Sequence, residues 1–144
     1  LARQFVGESG VAVILGDNIY EHSLVSSVDR FRADPKGARL VLSRVDDPQR
    51  FGVATLSDNR IVRIVEKPRV PDSNYAVTGF YLYDANVFDY IDQCQPSDRG
   101  ELEISDVNSF YLEKGQCHYD ILDGWWTDAG TFSSLQYANE LLKE

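Results

Sequence analysis

Two aspartates, Asp17 and Asp128, each follow a short apolar stretch and stand just before a turn. Asp17 lies in Leu15-Gly16-Asp17-Asn18, and Asp128 lies in Trp126-Thr127-Asp128-Ala129-Gly130-Thr131. In open α/β sheets the ligand crevice lies at the carboxyl ends of the strands. Mg²⁺ that meets substrate phosphates usually takes one or two carboxylates from the protein. The pair therefore predicts a magnesium site, although either aspartate alone has an ordinary explanation as a turn residue.

Four further side chains could recognise a phosphorylated sugar. Glu66 can accept two sugar hydroxyls, and Lys67 can meet a phosphate. Arg99 could clamp a phosphate, and Trp126 could face a sugar ring. Each has a plainer alternative: an exposed ion pair before a proline for Glu66 and Lys67, a solvated side chain for Arg99, and a core position for Trp126.

Composition narrows the function classes. The 144 residues carry 14 Lys and Arg against 23 Asp and Glu, a net charge of −9. This charge argues against nucleic acid or an anionic membrane surface as the main partner. The apolar runs are too short for a membrane span, and the first residues lack a signal-peptide layout. Cys94 and Cys117 have no metal-ligand spacing, so we expect reduced packing residues in a cytoplasmic protein.

Strands and helices alternate along the chain. We expect strands at 11–15, 38–45, 75–83 and 117–122, the first of them buried and of the parallel type, and a β-hairpin of 52–56 and 60–66 around Ser57-Asp58-Asn59. We expect helices capped by Ser23, Ser105 and Thr131 and a short one around 87–91. The alternation predicts one α/β domain over residues 1–144 with a mixed sheet. The opening segment, 1–10, has the pattern of part of a helix and a loop, which predicts a cut inside a larger fold.

Six segments occur in one order across nearly the whole chain, and together they resemble the sugar nucleotidyltransferase family, in particular its glucose-1-phosphate thymidylyltransferases. They are Leu15-Gly16-Asp17-Asn18, Arg50-Phe51-Gly52-Val53, Val65-Glu66-Lys67-Pro68, Ser73-Asn74-Tyr75-Ala76-Val77-Thr78-Gly79, Arg99-Gly100-Glu101-Leu102-Glu103-Ile104-Ser105-Asp106 and Trp126-Thr127-Asp128-Ala129-Gly130-Thr131. Each segment is weak by itself, and the ordered series is specific.

The resemblance implies a three-layer, Rossmann-like mixed sheet of the nucleotidyltransferase (GT-A) type, incomplete at its N-terminus. It implies that Asp17 and Asp128 hold a catalytic Mg²⁺ and that Lys67 and Arg99 face the sugar's phosphate, Lys67 counting with the aspartates as catalytic. The residues implied to contact the hexose are Asn18, Gly52, Glu66, Val77 and Trp126. Two positions depart from the family pattern, with Phe51 where many relatives have Tyr and Ser105 in place of Thr.

The activity that the resemblance implies is nucleotidyl transfer: dTMP passes from dTTP to a hexose-1-phosphate such as glucose-1-phosphate, and pyrophosphate is released. The resemblance also implies that the complete enzyme assembles as a homo-oligomer. The family's N-terminal glycine-rich loop, which binds the triphosphate, has no counterpart in these 144 residues. We therefore expect this chain to be inactive alone. Two alternatives stay open: a non-catalytic sugar-phosphate-binding or regulatory module, which would have little need of both aspartates, and a relative that uses UTP, CTP or GTP.

Overall fold

The longest strand, β6 (Tyr75–Tyr83), organises the main sheet of the computed structural model, which describes residues 2–97 and 100–143. Its aromatic and β-branched residues suit a pleated strand covered on both faces, and eight of its nine residues are buried. Strand β3 (Ala38–Arg44) pairs antiparallel with β6 along its length. On the opposite edge, β1 (Val11–Ile14) pairs with one end of β6 and β4 (Gly52–Ser57) with the other, both antiparallel.

Two outer strands complete the six-stranded sheet. Strand β5 (Arg60–Glu66) forms the predicted hairpin with β4, and Asp58 and Asn59 take the positive φ values of 49° and 59° that its turn requires. Strand β7 (Cys117–Ile121) pairs with β3 in parallel. The sheet is therefore mixed, as predicted, in the order β5-β4-β6-β3-β7 with β1 also on β6.

Helices cover both faces of this sheet. Helix α2 (Val25–Ala33) places Phe31 against Val41, Phe80 and Leu82 on one face. Helices α3 (Val87–Ile91) and α4 (Ile104–Glu113) cover the other face, where the larger core cluster includes residues of β3, β6 and α4. The three-layer prediction is thus confirmed. The remaining helices are α1 (Ala2–Val6), α5 (Phe132–Leu141) and a 3₁₀ turn at Pro48–Arg50.

A second, two-stranded sheet was not predicted from the sequence. Strand β2 (Asn18–Tyr20) pairs antiparallel with β8 (Trp126–Asp128), and Asn18 lies opposite Asp128. Strands of three residues carry too little periodicity to be recognised in a sequence. This pairing joins two segments that are more than 100 positions apart.

Three local predictions were wrong. Strand β1 is antiparallel and alternates between half-buried and exposed residues, with Ile14 58% exposed, because within the described ranges it pairs with β6 on one edge alone. Helix α2 begins after Leu24 without a side-chain cap, and Ser23 accepts a hydrogen bond from the Val25 amide instead. Helix α4 begins at Ile104, so Ser105 lies in its first turn and its hydroxyl is free for another contact.

Two other local predictions, the Thr131 cap and the free cysteines, are confirmed. Thr131 caps α5 through a reciprocal pair of hydrogen bonds with Ser134. Cys94 and Cys117 are free thiols, and burial raises the pKa of both, that of Cys117 to about 12. Among residues 2–97 and 100–143, no helix is long and apolar enough to cross a membrane.

Gly37 lies at a crowded crossing that only glycine fits. Its φ is +73°, and a Cβ atom there would lie within 3.0 Å of the Gln116 side chain and closer still to the Gln116 carbonyl oxygen. The Gly37 amide also donates to Asp84 at 2.8 Å. The backbone therefore has little room to shift.

We predict that Gly37→Ala lowers the free energy of unfolding by more than ~2 kcal/mol, since backbone strain and a steric clash add. Gly115→Ala is the matched control, because Gly115 has φ +66° and open space around its Cβ position. The control should lose about 1 kcal/mol from φ alone. Urea unfolding measures both variants, and equal losses would contradict the crowding at Gly37.

Candidate active site

The side-chain amide of Asn18 joins three elements of the fold. Its Oδ1 accepts hydrogen bonds from the Gly79 amide at 3.0 Å and from the Trp126 indole Nε1 at 2.7 Å, and its Nδ2 donates to Asp17 Oδ1 at 2.9 Å. Gly79 lies in β6 between the stretches that pair with β1 and with β4, so its amide has no ladder partner on that edge. The Asn18 amide satisfies it and anchors β2 and β8 to the main sheet.

The structure places the backbone segments of the two predicted metal aspartates side by side. Asp128 lies opposite Asn18, the residue after Asp17, in the β2–β8 pair. The carbonyl of Asp17 accepts a 2.6 Å hydrogen bond from the Ala129 amide. A Cβ atom on Gly130 would lie 3.0 Å from Asp17 Oδ2, so that loop passes directly over the carboxylate.

The carboxylate of Asp128 is incompletely satisfied. Its Oδ1 is buried and has no hydrogen-bond partner among the described residues, although Arg50 Nη2 lies at ion-pair distance, 3.5 Å away. Buried polar oxygens normally have a partner, so this atom is a position at which a bound cation would fit. Within the described ranges 2–97 and 100–143, the structure has no group of three or more His, Cys, Asp or Glu that could hold a metal ion.

Glu66 and its neighbours form the second part of the site. Glu66 pairs with Gly52 across the hairpin, and the Ser105 hydroxyl donates to Glu66 Oε2 at 2.6 Å. A Cβ atom on Gly52 would lie 3.2 Å from Glu66 Oε2 and 3.8 Å from Val77. Because glycine has no side chain, the Glu66 carboxylate can lie close to the backbone at this position. Burial, and then the charge of Glu66, raises the pKa of the Tyr81 phenol, which is neutral at the base of this group.

Lys67 follows Glu66 in an unusual backbone conformation. Its φ is +41°, in the left-handed region that residues with a Cβ seldom adopt, and its amide donates to the Phe51 carbonyl at 3.0 Å. Its Nζ lies 3.9 Å from Glu66 Oε1, and its side chain is half exposed. Strained residues cluster at functional sites. Here the strained residue carries an ammonium group that lies beside the Glu66 carboxylate and is partly exposed to solvent.

Trp126 is buried rather than presented to solvent. It is 8% exposed, its indole nitrogen is used by Asn18, and its ring packs 4.9 Å from that of Phe51. Trp126 therefore fits the alternative interpretation, a core position, over most of its surface. Arg99, the remaining predicted phosphate contact, lies outside the described residues.

Three residues of this region had no functional role in the sequence interpretation. Gly79 makes the close approach that admits Asn18, and a glycine inside an aromatic and β-branched strand is the signal that could have found it. Ser105 was expected to cap a helix but holds Glu66. Arg50, which lies between two carboxylates, carries no local signal beyond its place before Phe51 and Gly52.

Comparison with known proteins now identifies the family. The model of the nucleotidyl transferase family matches residues 1–144. The chain belongs to this family. It is 42% identical over 147 residues to a glucose-1-phosphate thymidylyltransferase of Xanthomonas campestris, covering 99% of the chain and 50% of that protein. It is 39% identical over 145 residues to the low-salt glycan biosynthesis nucleotidyltransferase Agl11 of Haloferax volcanii, covering 99% of the chain and 41% of that protein.

Solved structures agree with this assignment. A crystal structure from Bacillus anthracis, assigned as a glucose-1-phosphate thymidylyltransferase and bound to sucrose, superimposes with a TM-score of 0.92 at 50% identity. It covers 99% of this chain, which spans 58% of that one. An apo UDP-glucose pyrophosphorylase superimposes with a TM-score of 0.83 at 21% identity, covering 99% of this chain and 57% of that one, and shares the fold. The chain spans about half the length of the curated relatives it matches.

We predict that Gly79→Ala disrupts the site while the main sheet survives. The new Cβ would lie 2.5 Å from Asn18 Nδ2, so the amide must move and release Trp126 and Asp17. Heteronuclear NMR spectra should show shifted or broadened signals for the Trp126 indole and the Asn18 amide. Gly16→Ala, with nothing within 4 Å of its Cβ position, is the control and should leave both signals in place.

Proposed function

We propose that this chain is the sugar-phosphate part of a thymidylyltransferase-type enzyme, which transfers dTMP from dTTP to a hexose-1-phosphate such as glucose-1-phosphate. The family supports nucleotidyl transfer in general. The observation that supports the finer proposal is the pairing of charged groups. Glu66 accepts from Ser105 and lies 3.9 Å from the Lys67 ammonium, while Asn18, the neighbour of Asp17, lies opposite Asp128 in the β2–β8 pair. A cytoplasmic location and assembly into homo-oligomers are further parts of the proposal.

The sugar would be recognised by hydrogen bonds to Glu66. The Ser105 hydroxyl fixes Oε2 of this carboxylate, so Oε1 is left to accept from a hexose hydroxyl. The absence of a side chain at Gly52, beside Glu66 and Val77, would let the sugar ring approach the backbone, and the edge of Trp126 would flank the ring. Asn18, whose oxygen is already shared by Gly79 and Trp126, would offer its remaining amide N–H. Lys67, with Arg99, would face the phosphate.

The reaction needs positioning more than proton transfer. A phosphate oxygen of the sugar-1-phosphate forms a bond to the α-phosphorus of dTTP, the bond from that phosphorus to the bridging oxygen breaks, and pyrophosphate leaves. The attacking oxygen is already anionic, so no general base is required. Lys67 would hold the sugar phosphate for in-line attack. Asp17 and Asp128 would hold a Mg²⁺, which supplies charge neutralisation at the reacting phosphates when it is bound.

We expect Lys67→Ala and Glu66→Gln to separate phosphate from sugar recognition. Lys67→Ala should weaken binding of every hexose-1-phosphate about tenfold or more, since it removes a charge-assisted contact to the common group. Glu66→Gln should reduce the preference among glucose-, galactose- and mannose-1-phosphate. Calorimetric titration of the chain measures both effects.

Arg69→Ala is the matched control for that titration, because it removes an exposed cation two residues further along. It should bind all three sugar phosphates as the parent chain does. Equal losses in Lys67→Ala and Arg69→Ala would show that net charge, and not a phosphate contact, governs binding.

Catalysis is tested by supplying a triphosphate-binding segment. We predict that this chain alone releases no pyrophosphate from dTTP and glucose-1-phosphate, and that mixing it with a separately made N-terminal segment of a thymidylyltransferase relative restores release. Asp17→Asn or Asp128→Asn should then lower turnover at least ~100-fold, since each removes an anionic metal ligand. Turnover within tenfold of the parent for both variants would contradict the metal assignment.

The same assay distinguishes the two rival functions. Sugar-phosphate binding without turnover in any mixture would favour a non-catalytic or regulatory module. Each nucleotide is assayed with an N-terminal segment from a relative that uses it. Faster turnover with UTP, CTP or GTP than with dTTP in such mixtures would replace the thymidylyl assignment. Pyrophosphate release by the chain alone, in a preparation that mass spectrometry shows to be free of longer enzyme, would refute the need for the glycine-rich loop.

A further inference from the structure

Arg50 lies between two carboxylates at the edge of the candidate site. It ends the 3₁₀ turn at Pro48–Arg50, directly before β4. Its Nη1 donates to Asp47 Oδ2 at 2.9 Å, and its Nη2 lies 3.5 Å from Asp128 Oδ1. Its guanidinium carbon is 5.1 Å from the centroid of the Phe51 ring, which packs on Trp126. The guanidinium is therefore held from three directions.

The two carboxylate contacts of Arg50 are unequal. The contact with Asp47 is a short hydrogen bond. The contact with Asp128 is an ion pair, and within the part of the chain that the structure describes Asp128 Oδ1 has no hydrogen bond. Asp47 and Arg50 are both about half exposed, while the Asp128 side chain is 29% exposed. The more buried carboxylate, that of Asp128, thus makes the poorer contact with Arg50. Such an arrangement neutralises Asp128 without satisfying it.

We propose that Arg50 is an internal counter-ion that occupies Asp128 when no divalent cation is bound and must release Asp128 Oδ1 for one to bind. The inference rests on the proposed metal site. A divalent cation and a guanidinium on the same oxygen would repel each other. Arg50 would therefore give up its 3.5 Å contact with Asp128, which is longer than its contact with Asp47. The hydrogen bond to Asp47 would keep the guanidinium beside the site after the release.

Arg50 therefore sets the affinity of the site for divalent cations, and removing it should raise that affinity. The pair is partly exposed, so its competition is modest. We expect Arg50→Gln to bind Mn²⁺ roughly three- to tenfold more tightly than the parent chain. Arg50→Met, which keeps the apolar stem over Phe51, should give the same gain if Arg50→Gln disturbs the local packing.

The test is titration of the chain with Mn²⁺, followed by electron paramagnetic resonance of the free ion. Arg63→Gln is the matched control, since Arg63 is exposed and pairs with Asp72 at 2.6 Å rather than with a site carboxylate. Tighter binding by both Arg50 variants and unchanged binding by Arg63→Gln supports the inference. Unchanged or weaker binding by the Arg50 variants overturns it, and so does an equal gain in Arg63→Gln, because net charge then explains the effect.

Two further measurements keep this inference distinct from the proposed function. If Asp128→Asn and Asp17→Asn leave Mn²⁺ binding unchanged, the metal site itself is wrong and the Arg50 inference falls with it. If both aspartate variants lose Mn²⁺ and the Arg50 variants gain nothing, the site stands and the counter-ion is refuted. Thermal unfolding gives an independent readout, because Mn²⁺ should raise the melting temperature of Arg50→Gln more than that of the parent.

Discussion

The site depends on one side chain, the amide of Asn18. Edge pairing on β6 is interrupted at Gly79, and the resulting free amide would be a buried, unsatisfied donor if Asn18 did not accept from it. The same oxygen accepts from the Trp126 indole, and the same amide group donates to Asp17. One hydrogen-bonded group thereby fixes β2 and β8 on the main sheet and orients a carboxylate. Gly79 is required because any Cβ would occupy the space of the amide.

The two parts of the site share β6 as their support. Val77 lies behind the Gly52 and Glu66 group, and two residues further along the same face of the strand Gly79 receives Asn18. A rigid, buried strand holds such groups more accurately than loops do. The polar groups that would meet a substrate are carried on the hairpin and on the β2–β8 pair, next to open surface. This arrangement suits chemistry in which catalysis comes from positioning charged groups and involves no covalent enzyme intermediate.

The main helices and strands could be predicted from the sequence, whereas the contacts among the predicted site residues could not. The run 75–83 is rich in aromatic and β-branched residues that favour strands, and the turn at Asp58 and Asn59 has distinctive chemistry, so both were predicted. The β2–β8 pairing was missed because three-residue strands are defined by tertiary partners. Ser105 was misplaced as a cap because a hydroxyl near a helix start has two uses, and only the position of Glu66 decides between them.

We propose that the two aspartates and the Glu66–Lys67 group form one site that holds a metal beside a sugar phosphate. Paramagnetic broadening of the ³¹P resonance of glucose-1-phosphate by Mn²⁺ bound to the chain measures this proximity directly. We expect strong broadening with the parent chain. We expect the broadening to be lost in the Asp17→Asn and Asp128→Asn variants and in Lys67→Ala. Equal broadening in the parent and in the aspartate variants, at matched ligand occupancy, would contradict a shared site.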